Sequence, residues 1–106
     1  MELDRVFEAL ASKPRRQILA YLSELELSTS ELATRFEMST PAISRHLSIL
    51  ENAGLVTSER KGQFVLYKLN AESLASTLTG YALEVCPVGG KLKRESRALS
   101  KKKKTT

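Results

Sequence analysis

The chain has 106 residues, room for one small domain, and folding at this size buries about 60–70% of the unfolded surface, too little for a deep cleft between two lobes. Hydrophobic residues make up 42% and charged residues 27%, an ordinary globular balance, and the longest apolar run, Ile18 to Leu22, is far shorter than the ~20 residues that span a bilayer. The start, Met1-Glu2-Leu3-Asp4, has no leader-like character and the single cysteine, Cys86, cannot close an internal disulfide, so a membrane protein, a secreted disulfide scaffold and a large enzyme are set aside and the reducing cytoplasm is expected.

The net charge is +5, which suggests an anionic partner, but the charge is unevenly spread. Residues 87–106 carry eight basic groups against Glu95 alone, +7, whereas residues 1–86 carry nine basic and eleven acidic groups, −2. The basic character belongs to the tail, so it says nothing about nucleic-acid binding by the body.

Leu3, Val6, Phe7 and Leu10 fall at i, i+3, i+4 and i+7, the stripe of a short amphipathic helix. Ser12 caps a second helix with Pro14 in its first turn, running to about Leu25 and offering Ile18, Leu19, Leu22 and Leu25 to a core. Its start carries Lys13, Arg15 and Arg16, which opposes the helix dipole; a nearby phosphate or a solvated or ion-paired arginine cluster would account for them. Ser28-Thr29-Ser30-Glu31 fits a capping box that opens a third helix over about 29–37, with Leu32, Ala33 and Phe36 inward. A short polar break leads to a fourth helix, capped by Ser39 or Thr40, with Pro41 in its first turn and Gly54 at its end. Two helices joined so tightly have the layout of a helix-turn-helix.

Beyond Gly54, Val56–Arg60 and Phe64–Leu69 read as two strands around the Lys61-Gly62-Gln63 turn. Asn70 caps a fifth helix to about Val85, with Leu74, Leu78, Tyr81, Ala82 and Val85 along one side, and Pro87 and Gly89-Gly90 then break the chain. The architecture predicted is mainly α with a β-hairpin wing, a winged helix-turn-helix of five helices over residues 1–86, followed by a basic, flexible tail over 87–106, in which the seven-residue spacing of Leu92 and Leu99 leaves a weak further helix through Ala98 as the alternative.

On the fourth helix, Ile43, Leu47 and Leu50 lie within about 60° of one another at 100° per residue and face the core. The opposite side carries Pro41, Arg45 and Ser48, flanked by Ala42 and Ser44. A merely solvated face mixes both charge signs and this one does not, which favours insertion into a major groove about 12 Å wide. Arg45 is the candidate base contact, because its fork matches the two acceptors of guanine. Thr40 and Ser44 suit single hydrogen bonds to phosphate or base, and Ser39 and Ser48 belong to the same candidate DNA-binding surface. His46 lies off the core centre and reaches either a phosphate or a partner within the domain. At the hairpin tip, Arg60, Lys61, Gly62 and Gln63 suit backbone contact.

Phe7-Glu8-Ala9-Leu10-Ala11, Arg15-Arg16-Gln17-Ile18-Leu19, Glu31-Leu32-Ala33, Ser44-Arg45-His46-Leu47, Glu51-Asn52-Ala53-Gly54-Leu55-Val56 and Tyr67-Lys68-Leu69 stand in order and spacing that resemble the ArsR/SmtB family of bacterial transcriptional repressors over about residues 3–85. The resemblance implies a homodimer on a near-palindromic DNA operator, built from the first and last helices, for which Leu3, Phe7, Leu74, Leu78 and Tyr81 supply apolar surface. One departure is Pro14, which the family more often places a residue earlier.

Many members release DNA on binding a metal through a cysteine-containing Glu-Leu…Asp/Glu-Leu motif in the third helix, but here the segment is Glu26-Leu27-Ser28-Thr29-Ser30-Glu31-Leu32, without cysteine, and the paired histidines of the other common site are missing, His46 being the single histidine. Serine is a poor substitute for thiolate at a borderline metal, so neither a metal nor another cofactor is expected, and release is left to an unknown effector or an anti-repressor. Cys86 is open to two readings, a thiol switch across a dimer or a small idle thiol, and the lack of a resolving cysteine favours the second. A sequence-specific repressor is the leading reading. A protein-interaction module and a non-specific architectural DNA binder using the tail are the alternatives. No catalytic grouping or phosphate-binding glycine loop supports an enzyme.

Overall fold

The computed structural model describes residues 3–86 and 91–104, which fall into two compact units divided between Leu74 and Ala75. In the first unit, α1 (Leu3–Leu10), α2 (Lys13–Leu22), β1 (Leu27–Ser28), α3 (Thr29–Phe36), α4 (Thr40–Asn52), β2 (Val56–Lys61) and β3 (Phe64–Leu69) are followed by the first turn of α5 (Ala71–Val85). The remainder of α5 and α6 (Lys91–Lys104) belong to the second unit. The predicted chain break at Pro87 and Gly89-Gly90 lies outside the described residues.

One core holds the first unit together. Val6 and Ala9 of α1, Ile18, Leu19 and Leu22 of α2, Leu27, Leu32 and Ala33, Ile43, Leu47 and Leu50 of α4, and Ala53, Leu55 and Val56 are buried in a single cluster. Leu10, Phe36, Met38, Ile49, Tyr67, Leu69 and Leu74 close its edges. The inward residues of each helix recur at three- and four-residue spacing, which is why short elements suffice to enclose it.

Local chemistry sets the boundaries. Ser12 accepts from the Arg15 amide at 3.4 Å. Ser28 accepts from the Glu31 amide at 3.2 Å while the Glu31 carboxylate accepts from the Ser28 amide at 3.0 Å, a complete capping box. That hydrogen bonding holds the Glu31 carboxyl below its ordinary pKa. Ser39, rather than Thr40, caps α4, accepting from the Ala42 amide at 3.3 Å. At the other end Gly54 adopts φ 78°, and the Leu55 amide donates to the Leu50 carbonyl at 3.0 Å, a left-handed closure that brings two buried leucines together.

Three expectations are corrected. The described residues contain six helices, not five, because Lys91–Lys104 forms α6. That run has no proline, glycine or β-branched residue, and its lysine-rich end complements the helix dipole. The wing is part of a three-stranded antiparallel sheet in the order β1-β3-β2, with Leu27 opposite Tyr67 and Val56 opposite Leu69. Finally, α2 stops at Leu22, where the Ser23 hydroxyl donates to the Ala20 carbonyl at 2.6 Å. Leu25 is therefore exposed, and Leu27 takes the inward place.

Candidate nucleic-acid interface

The turn between α3 and α4 sets the direction of α4. Glu37 closes α3 at φ 54°, the one described residue other than glycine with positive φ. The Met38 amide donates to Ala33 at 3.2 Å and the Glu37 amide to Thr34 at 3.4 Å. Left-handed backbone costs a residue with a Cβ about 1–2 kcal/mol, partly offset by the greater freedom glycine has when unfolded. Glu37→Gly is therefore expected to stabilise the domain by up to about 1 kcal/mol, read as a raised midpoint in thermal denaturation. Glu37→Ala should give no such gain.

Helix α4 then presents two faces. Ile43, Leu47 and Leu50 are fully buried. On the other side Thr40, Pro41, Ser44, Arg45 and Ser48 are exposed and Ala42 is half-buried. Arg45 makes no ion pair among the described residues. Ser39 is exposed at the helix start, its hydroxyl already committed to the cap.

The basic start of α2 has a structural cause. Arg15 donates through Nε to the Ala9 carbonyl at 2.8 Å and through Nη2 to Glu8 at 3.1 Å, and Arg16 donates to Leu10 at 2.5 Å. Two guanidinium groups thus satisfy the last carbonyls of α1, where cations are favoured. The remaining Arg15 arm, Nη1, lies 3.3 Å from His46 Nδ1. Arginine can only donate, so Nδ1 accepts and the imidazole is neutral with its proton on Nε2. His46 is half-buried and has its partner inside the domain.

Burial, then Arg15 and Arg45, hold the His46 pKa below its ordinary value. The unfolded chain therefore takes up the proton more readily. This contribution to stability is complete above about pH 6.5 and is lost as pH falls below it, through the folded value. NMR titration of the imidazole should show the lowered pKa, and His46→Gln should flatten the dependence of stability on pH over that window.

Three polar contacts and an ion pair seat the wing. The Ser58 hydroxyl donates to Glu51 Oε2 at 2.8 Å, linking β2 to the end of α4. The Asn70 amide donates to Leu55 at 2.8 Å and its side-chain nitrogen to the Gly54 carbonyl at 3.1 Å. Burial, with Glu51 second, raises the pKa of Tyr67, which packs on the core from β3. At the tip Lys61 pairs with Phe64 across the Gly62-Gln63 turn, and Gly62 has φ 64°, the sign a tight hairpin demands at that position. Arg60, Lys61, Gly62 and Gln63 are all exposed. Lys61 also forms an exposed ion pair with Glu26 at 3.5 Å, a weak contact that a stronger anion can displace.

The structure thus gathers the exposed side of α4 and the hairpin tip in one unit, whereas His46 turns to Arg15. Of the predicted dimer residues, Leu3 is half-buried, Phe7 is exposed and Leu74 packs at the core edge; in the second unit Leu78 is half-buried and Tyr81 exposed. Cys86 is exposed and carries a free thiol. Sequence reading missed the roles of Arg15 and Ser58 and the wing contacts of Asn70, whose side chain also caps α5 as expected, accepting from the Ser73 amide at 3.4 Å. Only Arg15 carried a signal, a cation where the dipole disfavours one.

Among the described residues no three His, Cys, Asp or Glu side chains group as a metal site, and no helix is long and apolar enough to cross a membrane. The donors do not fit the metal site of the family: the Ser28 hydroxyl and the Glu31 carboxylate are engaged with each other's amides.

The architecture is that of a winged helix-turn-helix transcriptional regulator. Residues 12–58 match the bacterial regulatory protein, arsR family. The chain is 37% identical over 76 residues to the transcriptional repressor SdpR of Bacillus subtilis, covering 72% of this chain and 84% of that protein. Its fold is similar to an ArsR-like transcriptional regulator from Rhodococcus, with TM-score 0.76, 31% identity and coverage of 98% of this chain and 92% of that one. It is also similar to a homodimeric winged helix-turn-helix DNA-binding domain from Mycobacterium bovis, with TM-score 0.64, 29% identity and coverage of 79% and 83%. The chain belongs to the arsR family of bacterial regulatory proteins.

Proposed function

We propose that two copies of this chain form a homodimer that binds a near-palindromic operator in the cytoplasm and blocks transcription, without a metal effector. The observation that carries this reading is the exposed face of α4, where Thr40, Pro41, Ser44, Arg45 and Ser48 include no carboxylate. The buried stripe behind it fixes the helix as a rigid probe. Arg45 reads a guanine through its fork. Thr40 and Ser44 make single hydrogen bonds to phosphate or base, and Ala42, small and next to Pro41, allows close approach. Arg60 and Gln63 contact the backbone, with Gly62 offering no side chain to obstruct, and Lys61 joins them by exchanging Glu26 for phosphate. His46 acts from behind, holding α4 to Arg15.

The Mycobacterium bovis relative is a homodimer, and the exposed rings of Phe7 and Tyr81 supply the apolar surface that such an assembly buries here. The repressor relative supports blocking as the outcome of binding. Chemistry other than metal binding, a small effector or an anti-repressor protein, relieves the block.

Selection of bound duplexes from a random pool tests this. The expected product is a pair of inverted half-sites one helical turn apart, about 10–10.5 base pairs, occupied by two chains. A single asymmetric site bound by one chain would contradict the proposal.

A further inference from the structure

Helix α6 lies in the second unit, and its composition is unlike the rest of the chain. Of its fourteen residues eight are lysine or arginine and one, Glu95, is acidic. Arg94, Arg97 and Lys101 are exposed and, at about 100° per residue, fall within about 60° of arc. The positions of Lys93 and Lys104 extend the same stripe, at four residues before Arg97 and three after Lys101. At the same spacing the positions of Leu92 and Leu99 fall opposite the stripe. A disordered cationic tail needs no such order, whereas a helix laid against a line of phosphates does.

We propose that α6 is a second DNA-contacting element, a cationic stripe that binds backbone phosphates of the duplex read by α4 and carries no sequence information. The inference rests on the proposed function in taking DNA as the partner. Residues 1–86 carry nine basic and eleven acidic groups, so without the tail the chain approaches a polyanion with net charge −2. The eight cations and one acid of α6 reverse that sign, and with it the long-range force on the encounter. The stripe suits phosphate better than a lipid surface. An interfacial helix needs a broad apolar face, and α6 offers two leucines and one alanine, with Leu99 61% exposed.

The test uses the full chain and the variant Arg94→Gln/Arg97→Gln/Lys101→Gln, glutamine being as good a helix former as the residues it replaces. Circular dichroism verifies that helix content is kept. Affinity is measured across a range of potassium chloride concentrations, on the selected operator and on a scrambled duplex. The expected result is a salt slope shallower by about 5.4 on both duplexes, about six phosphate contacts per dimer at about 0.9 each, three from each chain, with the operator preference intact. An unchanged slope on both duplexes overturns the inference while leaving the operator reading in place. If the slope falls but neither protein prefers the operator, the operator reading fails and α6 remains a phosphate binder. Phosphatidylserine vesicles form a separate arm. Vesicle binding that the triple variant loses, with no change on DNA, would overturn the inference in favour of a membrane contact.

Discussion

Leu47→Ala is expected to lower the free energy of unfolding by about 2–5 kcal/mol, the cost of truncating a leucine where the surroundings cannot collapse. Leu47 is fully buried between Ile43 and Leu50, which are buried as completely, and α1, α2 and α3 all contribute side chains to the same cluster. Domains of this size are stable by about 5–15 kcal/mol in total, so one truncation removes a large share of it. Denaturant titration at fixed protein concentration measures the loss, the concentration being held because association adds to apparent stability. Leu47→Met, which nearly conserves volume, should cost less than about 1.5 kcal/mol. A loss below that for alanine would mean that α4 is not anchored through this residue. DNA affinity should fall with the same substitution although Leu47 touches no DNA.

Arg45→Ala should behave in the opposite way. The side chain is exposed and makes no ion pair among the described residues, so stability should hardly change. Its loss should weaken operator binding by about 1–3 kcal/mol in each half-site, about five- to 150-fold per contact, and relax the preference for guanine at one position in each half-site. Arg45→Lys keeps the charge but not the fork, so it should recover affinity without recovering base preference. Anisotropy titrations against the operator and against duplexes altered at that guanine would measure both effects. Equal loss on every duplex would make Arg45 a phosphate contact and move base reading elsewhere on α4.

What the sequence revealed, and what it concealed, follows from the range of the interactions. The capping box at Ser28 and Glu31, the Ser39 and Pro41 start of α4 and the Gly54 stop are local chemistry written within a few residues, and all are present. The division of α4 into a buried and an exposed face follows from periodicity alone, which is why most of the candidate interface was legible. By contrast, β1 is two residues long and exists only because Leu27 meets Tyr67 forty residues later. Arg15 reaches carbonyls six and seven residues back and a histidine 31 residues ahead, so its place at the start of α2 looked unfavourable until the end of α1 was in view. Leu25 looked inward because the helical period continued through it. The Ser23 turn ended the helix first, a choice that periodicity cannot express. In α6 the spacing of Leu92 and Leu99 allowed a weak helix through Ala98, but charge density hid its continuation to Lys104, since lysine and arginine suit a helix interior as well as they suit a disordered tail.

The most direct test of the account is an anisotropy titration of the full chain against the selected operator and a scrambled duplex of equal composition, at near-physiological salt. A regulator that reads bases through α4 should prefer the operator by at least about 10³-fold, the lower range for specific DNA-binding proteins. Equal affinity for the two duplexes would contradict it, leaving only backbone attraction where base recognition is claimed.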